Sequence, residues 1–154
     1  EQRAIYQLVL DAQLAGIEQA RPGQHWNDIH DAAVKTLTAG LIKLGLLKGT
    51  LAKNLKDERY KEFYMHKTGH WIGLDVHDVG DYRVGNAWRQ LEPGMAMTVE
   101  PGIYISPANA RVAKKWRGIG IRLEDDVLVT ADGCEVLTAT APKAIAEIEA
   151  LMAG

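Results

Sequence analysis

The stretch that decides the fold is residues 65–80, Met-His-Lys-Thr-Gly-His-Trp-Ile-Gly-Leu-Asp-Val-His-Asp-Val-Gly. Three of the five histidines of the chain lie in it, namely His66, His70 and His77. A histidine at neutral pH can ligate a metal or move a proton. The glycines between them let the backbone approach a ligand closely. The stretch therefore indicates a functional site rather than part of the hydrophobic core. The alternative for any one of these histidines, taken singly, is a hydrogen-bonded structural residue.

The spacing of these histidines does not fit a helical zinc pair, because Gly69 and Gly73 make an i, i+4 helix unfavourable. Apolar and other residues alternate from Trp71 to Val76, which predicts extended chain there. On an unbroken strand His70 and His77 point to opposite faces. They then have different roles, unless a bend at residues 75–78 re-aims His77.

Length, charge and cysteine content restrict the class of protein. The 154 residues are enough for one domain with a real core, and a net charge of −2 provides no basic surface for nucleic acid. No apolar run approaches the roughly 20 residues that cross a bilayer, and the polar amino end lacks a signal-peptide pattern, so we expect no membrane partner. The single cysteine, Cys134, excludes an internal disulfide and favours a reducing, cytoplasmic location. Because the chain starts at Glu1 within a helix pattern, we expect it to begin partway through a larger protein.

The first part of the chain is predicted to be helical. Apolar residues recur at spacings of three and four over residues 2–20, and Arg21-Pro22-Gly23 ends that helix. A second helix is predicted from Asn27 or Asp28 to Gly45 or Gly49, and a short helix or turn over residues 50–62. His25 and His30 are expected to be surface or capping residues of the second helix.

Strands are predicted after residue 63. Met95–Glu100 alternates, Pro101-Gly102 interrupts it, and Ile103–Ile105 resumes it. Residues 106–117 are expected to form a polar loop, and Ile119–Val129 is the strongest predicted strand. Asp132-Gly133 turns the chain into a hairpin, and Pro142 fits the first turn of a final helix. The fold class is therefore α+β, an antiparallel sheet flanked by helices.

Two glutamates, Glu100 and Glu124, are candidate site residues because each ends or interrupts an otherwise apolar strand. A buried carboxylate is costly unless it is paired or bound to a cation. The alternatives are an ion pair between Glu124 and Arg122, and simple exposure of Glu100 at a strand end. Imidazole and carboxylate together suit manganese, zinc, cobalt or iron(II). The nearby aspartates are expected in solvated or capping roles: Asp75, Asp78, Asp125 and Asp126.

Three segments in order, Met65–Gly80, Leu91–Ile105 and Gly118–Thr130, resemble the metallopeptidases with the pita-bread fold. Within them the likeness is greatest to the bacterial Xaa-Pro aminopeptidases, the aminopeptidase P group, and it extends over essentially all 154 residues. The resemblance implies a partial pita-bread fold and a hydrolase of amino-terminal Xaa-Pro bonds. It implies two divalent metal ions, manganese first, with zinc, cobalt or iron as the other options. The implied substrate is a peptide with proline at its second position.

The resemblance also implies a role for each site residue. His70, Glu100 and Glu124 match metal ligands, with Glu100 also handling protons and Glu124 bridging both ions. His77 matches the histidine that contacts the scissile peptide, and His66 one that lines the substrate pocket. Arg122 matches an arginine that pairs with a metal-binding aspartate.

One departure is serious. The family has two aspartate ligands on an upstream hairpin, and nothing in residues 1–64 resembles it; Asp11, Asp28 and Asp31 lie in helical or capping contexts. Residues 1–154 are therefore expected to be the carboxyl-terminal portion of a pita-bread catalytic domain, without the amino-terminal domain and the aspartate hairpin. Such a fragment is expected to hold one metal ion or none, to have little activity, and to self-associate as a homo-oligomer.

Two other functions stay open. Prolidase, the Xaa-Pro dipeptidase, shares these motifs, although the short stretch between Gly80 and Leu91 favours aminopeptidase P. A non-catalytic peptide-binding module of the same fold is the alternative from a different class. The presence of His70, Glu100 and Glu124 argues against it.

Overall fold

A computed structural model describes all residues from Glu1 to Gly154. Helices occupy the first part of the chain and short antiparallel strands the second. The helices are α1 Gln2–Ile17, α2 Trp26–Lys43, α3 Leu51–Lys56 and α4 Ile145–Met152, with short 3-10 helices at Arg59–Glu62 and Lys114–Trp116. The strands are β1 Arg83–Val84, β2 Ala87–Trp88, β3 Ala96–Val99, β4 Gly102–Tyr104, β5 Gly120–Arg122, β6 Asp125–Val129 and β7 Cys134–Val136. None of the helices is both long enough and apolar enough to cross a membrane.

The two long helices pack on each other through the predicted apolar stripes. Ile5 and Val9 of α1 and Leu37 and Leu41 of α2 are fully buried between them. Helix α2 begins at Trp26, one residue earlier than predicted. The Asp28 carboxylate accepts the main-chain N–H of His25 at 2.7 Å and so caps the helix at that point. Since α1 also contacts β3, β4 and β5, this helical layer covers one side of the sheet strands.

The strands form three antiparallel groups rather than one continuous sheet. They are β3-β6-β7, β4-β5 and the small β1-β2 hairpin. Met97 of β3 lies opposite Val127 of β6, and Ile103 of β4 opposite Ile121 of β5. The predicted α+β class, with antiparallel strands flanked by helices, is confirmed, and the sheet is not closed.

The long strand predicted over Ile119–Val129 is divided in two. Strand β5 pairs with β4, whereas β6 pairs with β3, and the change of partner falls at residues 123–124. The opposite segment changes partner at Pro101, which has no N–H to donate to a strand ladder. Its carbonyl oxygen instead accepts the Leu123 N–H at 3.3 Å. The break places Glu124 at the junction of two sheets.

The strand predicted over Trp71–Val76 is wrong. Only Trp71 forms a bridge, to Met97, and the chain then bends with Leu74 and Val76 exposed. An Asp78 carboxylate oxygen accepts the Leu74 N–H at 3.1 Å, closing a local turn instead of a sheet ladder.

The predicted loop and the final helix need smaller corrections. Residues 106–117 contain a 3-10 turn, and Val112 and Trp116 within them belong to the core. The final helix forms, but none of its residues is fully buried, and Leu151 and Met152 project from the surface.

Candidate metal centre

Two backbone segments that pair side by side carry His70 and Glu100. The Glu100 N–H donates to the Thr68 carbonyl oxygen at 2.6 Å, and the Thr98 N–H donates to the His70 carbonyl oxygen at 3.0 Å. Between them, a Cβ atom on Gly69 would lie 2.0 Å from the Thr98 carbonyl oxygen. Only glycine permits this approach, so the glycine next to His70 is required by the pairing that brings the two ligand candidates together.

The imidazole of His70 is oriented for metal binding through one nitrogen. Its Nδ1 lies 2.9 Å from the Trp71 carbonyl oxygen. A carbonyl accepts only, so Nδ1 carries the hydrogen and Nε2 presents a lone pair. Nε2 lies 3.4 Å from Oε1 of Glu100, and the His70 and Glu100 side chains are only 15% and 13% exposed.

Glu124 completes the group from the junction of β5 and β6. One nitrogen or oxygen from each of His70, Glu100 and Glu124 lies within 4.8 Å of the others. Glu124 is an exposed residue, yet partial burial of its carboxyl group raises its pKa, and the nearby charge of Glu100 raises it further. Two carboxylates held this close repel each other, and a cation between them would relieve that repulsion. The donor set therefore fits a divalent metal.

The orientation of Glu100 is set by two neighbours. The Thr98 hydroxyl donates to Oε1 at 3.1 Å and accepts the His70 main-chain N–H at 3.1 Å. Arg122 approaches the other oxygen, with Nε 3.8 Å from Oε2 of Glu100. The sequence left open an ion pair between Arg122 and Glu124. The arginine instead makes its ion pair with Glu100.

The two flanking histidines lie in different surroundings. The chain bends over residues 73–77 and brings the centre of the His77 ring to 4.3 Å from that of the His70 ring, so the re-aiming bend forms, although it begins at residue 73 rather than at residue 75. His66 is not a member of the His/Glu/Glu group, and its Nε2 lies 2.9 Å from the Tyr104 hydroxyl. Sequence reasoning missed Tyr104, whose only signal was a polar hydroxyl within the apolar Ile103–Ile105 run.

Two other expectations were wrong. His30 is half-buried rather than on the surface, because its Nδ1 reaches the buried hydroxyl of Thr68 at 2.8 Å. Asp125 is 2% exposed rather than solvated. It accepts from Lys143 Nζ at 2.8 Å and from the Thr138 hydroxyl at 2.6 Å, so the segment before α4 satisfies it.

Solved structures share this arrangement of helices, strands and bends. Aminopeptidase PepP of Pseudomonas aeruginosa superposes with a TM-score of 0.96 at 65% identity, covering 97% of this chain and 34% of that one. Aminopeptidase P of E. coli with the inhibitor Pro-Leu gives a TM-score of 0.93 at 46% identity, with 99% and 34% covered. The fold is therefore part of the pita-bread fold, and it carries the His/Glu/Glu group.

The chain belongs to metallopeptidase family M24, whose sequence pattern matches residues 1–131. It is 50% identical to Xaa-Pro aminopeptidase of Haemophilus influenzae over 151 residues, which covers 98% of the chain and 35% of that protein. It is 38% identical to Xaa-Pro dipeptidase of Rattus norvegicus, covering 37% of that protein. The chain thus spans about a third of the length of the relatives it matches.

Proposed function

We propose that this chain forms the carboxyl-terminal part of the catalytic domain of an Xaa-Pro aminopeptidase. The observation that carries the proposal is the convergence of His70, Glu100 and Glu124 within 4.8 Å. The substrate class comes from the relatives, because the 50% identical protein is named an Xaa-Pro aminopeptidase. The proposed substrate is a peptide with a free amino terminus and proline at the second position.

The proposed ligands are Nε2 of His70 and the carboxylates of Glu100 and Glu124. Two divalent ions, of which manganese is our first candidate, would lower the pKa of water and polarise the scissile carbonyl when bound. Three ligands on this chain account for part of a two-ion site, and the two aspartate ligands that the family resemblance implies would supply the rest. Residues 1–154 by themselves are therefore proposed to hold one ion weakly or none, and to cleave Xaa-Pro bonds far more slowly than a complete homologue. A cleavage rate equal to that of an intact homologue would contradict this.

The chain's own residues supply proton transfer and orientation. Glu100 is proposed to accept a proton from the attacking water and deliver it to the departing proline nitrogen. The Thr98 hydroxyl and Arg122 hold its two oxygens in place. His77, beside His70, is proposed to contact the scissile peptide, and His66, held by Tyr104, to line the substrate pocket.

Metal titration tests the centre directly. Calorimetric titration of Mn²⁺ into a protein that includes the aspartate ligands is compared with its variant Glu100→Gln and with the control Glu135→Gln, which alters an exposed carboxylate on β7. Because disturbing even an outer partner of a ligand costs roughly 10–100-fold in metal affinity, losing a ligand should cost at least roughly tenfold. Equal Kd values for Glu100→Gln and the control would refute the assignment.

Prolidase activity is the nearest alternative. The dipeptidase relative is less similar, and its alignment runs over 182 positions against the 154 residues here, which indicates inserted segments. Comparing an Xaa-Pro dipeptide with a longer Xaa-Pro peptide, using a protein that includes the aspartate ligands, distinguishes the two. Preference for the dipeptide would favour prolidase. Absence of any Mn²⁺ binding to that protein would favour a non-catalytic module.

Self-association and location follow from surface features. Helix α4 presents Leu151 and Met152, which are 68% and 82% exposed, and the β4-β5 sheet has only two strands. We therefore propose a homo-oligomer, which light scattering over a concentration series would detect. A monomer at high concentration would contradict it. The lone thiol of Cys134 favours the cytoplasm.

A further inference from the structure

Three hydrogen-bonded polar groups, two of them fully buried, connect α2 to the segment that carries His70. The hydroxyl of Tyr64 is 2.7 Å from the hydroxyl of Thr68, which is 2.8 Å from Nδ1 of His30. Tyr64 and Thr68 are 0% and 1% exposed. Buried polar groups of this kind need hydrogen-bond partners, so the direction of each hydrogen can be worked out.

Counting donors assigns the tautomer of His30. The Tyr64 hydroxyl has Thr68 as its sole hydrogen-bond partner, so it must donate to Thr68 to satisfy its own hydrogen. The single hydroxyl hydrogen of Thr68 then points to Nδ1 of His30, which accepts it. His30 therefore carries its hydrogen on Nε2. With a hydrogen on Nδ1, Thr68 would either accept from both neighbours or donate to Tyr64, and in each case one buried hydroxyl hydrogen would lack an acceptor.

The environment of His30 favours the same neutral form. Burial lowers its pKa to about 4, and the charges of Lys67 and His66 act in the same direction. Helix α2 holds the imidazole in place, because Ile29 and Ala33 on either side of it are packed in the core.

Thr68 connects these three groups to both ligand-bearing segments. Its carbonyl oxygen accepts the Glu100 N–H at 2.6 Å, and it lies two residues before His70. We propose that His30 is a positioning residue of the metal centre, whose Nδ1 accepts the Thr68 hydroxyl and keeps the Thr68–His70 segment in register with Thr98–Glu100. This role rests on the proposed metal centre, and it adds a residue from α2 that does not contact the metal.

Two variants and one matched control separate positioning from general stability. His30→Leu removes the acceptor, whereas His30→Asn places an amide oxygen near the position of Nδ1. Thr38→Val is the control, since Thr38 is a fully buried residue of the same helix whose hydroxyl donates to the Val34 carbonyl oxygen at 2.6 Å.

The first readout uses metal-free protein. In ¹⁵N NMR of the imidazole, wild-type His30 should show the Nε2–H tautomer at pH 7. Amide hydrogen exchange at Glu100 should be about tenfold faster in His30→Leu than in Thr38→Val, after normalising to the amides of β6. His30→Asn should restore much of the protection. An Nδ1–H tautomer in the wild type, or equal exchange in the Leu variant and the control, would overturn the proposal.

The second readout is Co²⁺ affinity followed by absorption. His30→Leu should weaken the Kd about tenfold, as for other residues that orient ligands, while Thr38→Val leaves it unchanged. Equal shifts in both variants would overturn positioning and leave only a structural role. This titration uses a protein that includes the aspartate ligands; if its wild type binds no Co²⁺, the proposed metal centre fails, while tautomer and exchange at Glu100 still decide whether His30 orders the segment.

Discussion

Acidification should destabilise this protein through one histidine. Burial, followed by the neighbouring Lys67 charge, lowers the pKa of His30 from 6.5 to about 4 in the folded state. In the unfolded chain the same imidazole titrates near its ordinary value. Between these two pKa values the unfolded state binds the proton and the folded state does not. Protonation of His30 therefore does not lower the free energy of unfolding above pH 6.5, and lowers it progressively as the pH falls from 6.5 towards 4.

The magnitude follows from the size of the pKa shift. At pH 5 the unfolded imidazole is almost fully protonated and the folded one almost fully neutral. Each pH unit below 6.5 costs about 1.4 kcal/mol, so lowering the pH from 7 to 5 should reduce the free energy of unfolding by about 2 kcal/mol through His30 alone. This is a large share of the 5–15 kcal/mol, roughly, by which natural domains are stable.

Urea denaturation at pH 7 and pH 5 measures this loss. His30→Leu cannot titrate, so its free energy of unfolding should fall by about 2 kcal/mol less than that of the wild type over the same interval. His25→Leu is the control, because it removes an exposed imidazole at the start of the same helix. If wild type and His30→Leu lose equal stability on acidification, the neutral buried state of His30 is refuted.

Two further perturbations test the ligand-bearing strands. Lys143→Met should lower the free energy of unfolding by about 3 kcal/mol, because it leaves the carboxylate of Asp125 buried without its cation; a loss below about 1 kcal/mol in urea denaturation would contradict the buried pair. Gly69→Ala should cost about 3 kcal/mol or more and weaken Mn²⁺ binding, since the new Cβ would lie 2.0 Å from the Thr98 carbonyl oxygen. Gly133→Ala is its control, because nothing lies within 4 Å of the added Cβ, and equal thermal midpoints for the two variants would refute the close approach.

Local signals predicted most of the helices and turns. Apolar spacing located α1 and α2, and Asp132-Gly133 located the β6–β7 hairpin, because helix periodicity and turn residues act over a few neighbouring positions. The site residues carried a weaker local signal. A histidine between glycines and two glutamates in apolar strands indicated a metal centre, and the resemblance gave each a role.

Local pattern misled where strands change partners. Residues 71–76 alternate as a strand does, yet the chain bends there. The Leu74 N–H donates to the Asp78 carboxylate instead of to a neighbouring strand. Residues 119–129 are predicted as one strand, yet they belong to two sheets because Pro101 interrupts the opposite segment. Alternation records which face is apolar, and it carries no information about which strand lies alongside.

The amino-acid order alone determined the helices, the hairpin and the kinds of ligand, since each depends on residues near one another in the chain. Tertiary structure alone decided that Glu100 and Glu124 meet His70, that Arg122 pairs with Glu100, and that Lys143 satisfies Asp125. These contacts join residues far apart in sequence. Whether such a charged group is buried depends on which distant parts of the chain surround it, and burial in turn shifts its pKa. No local sequence pattern contains that information.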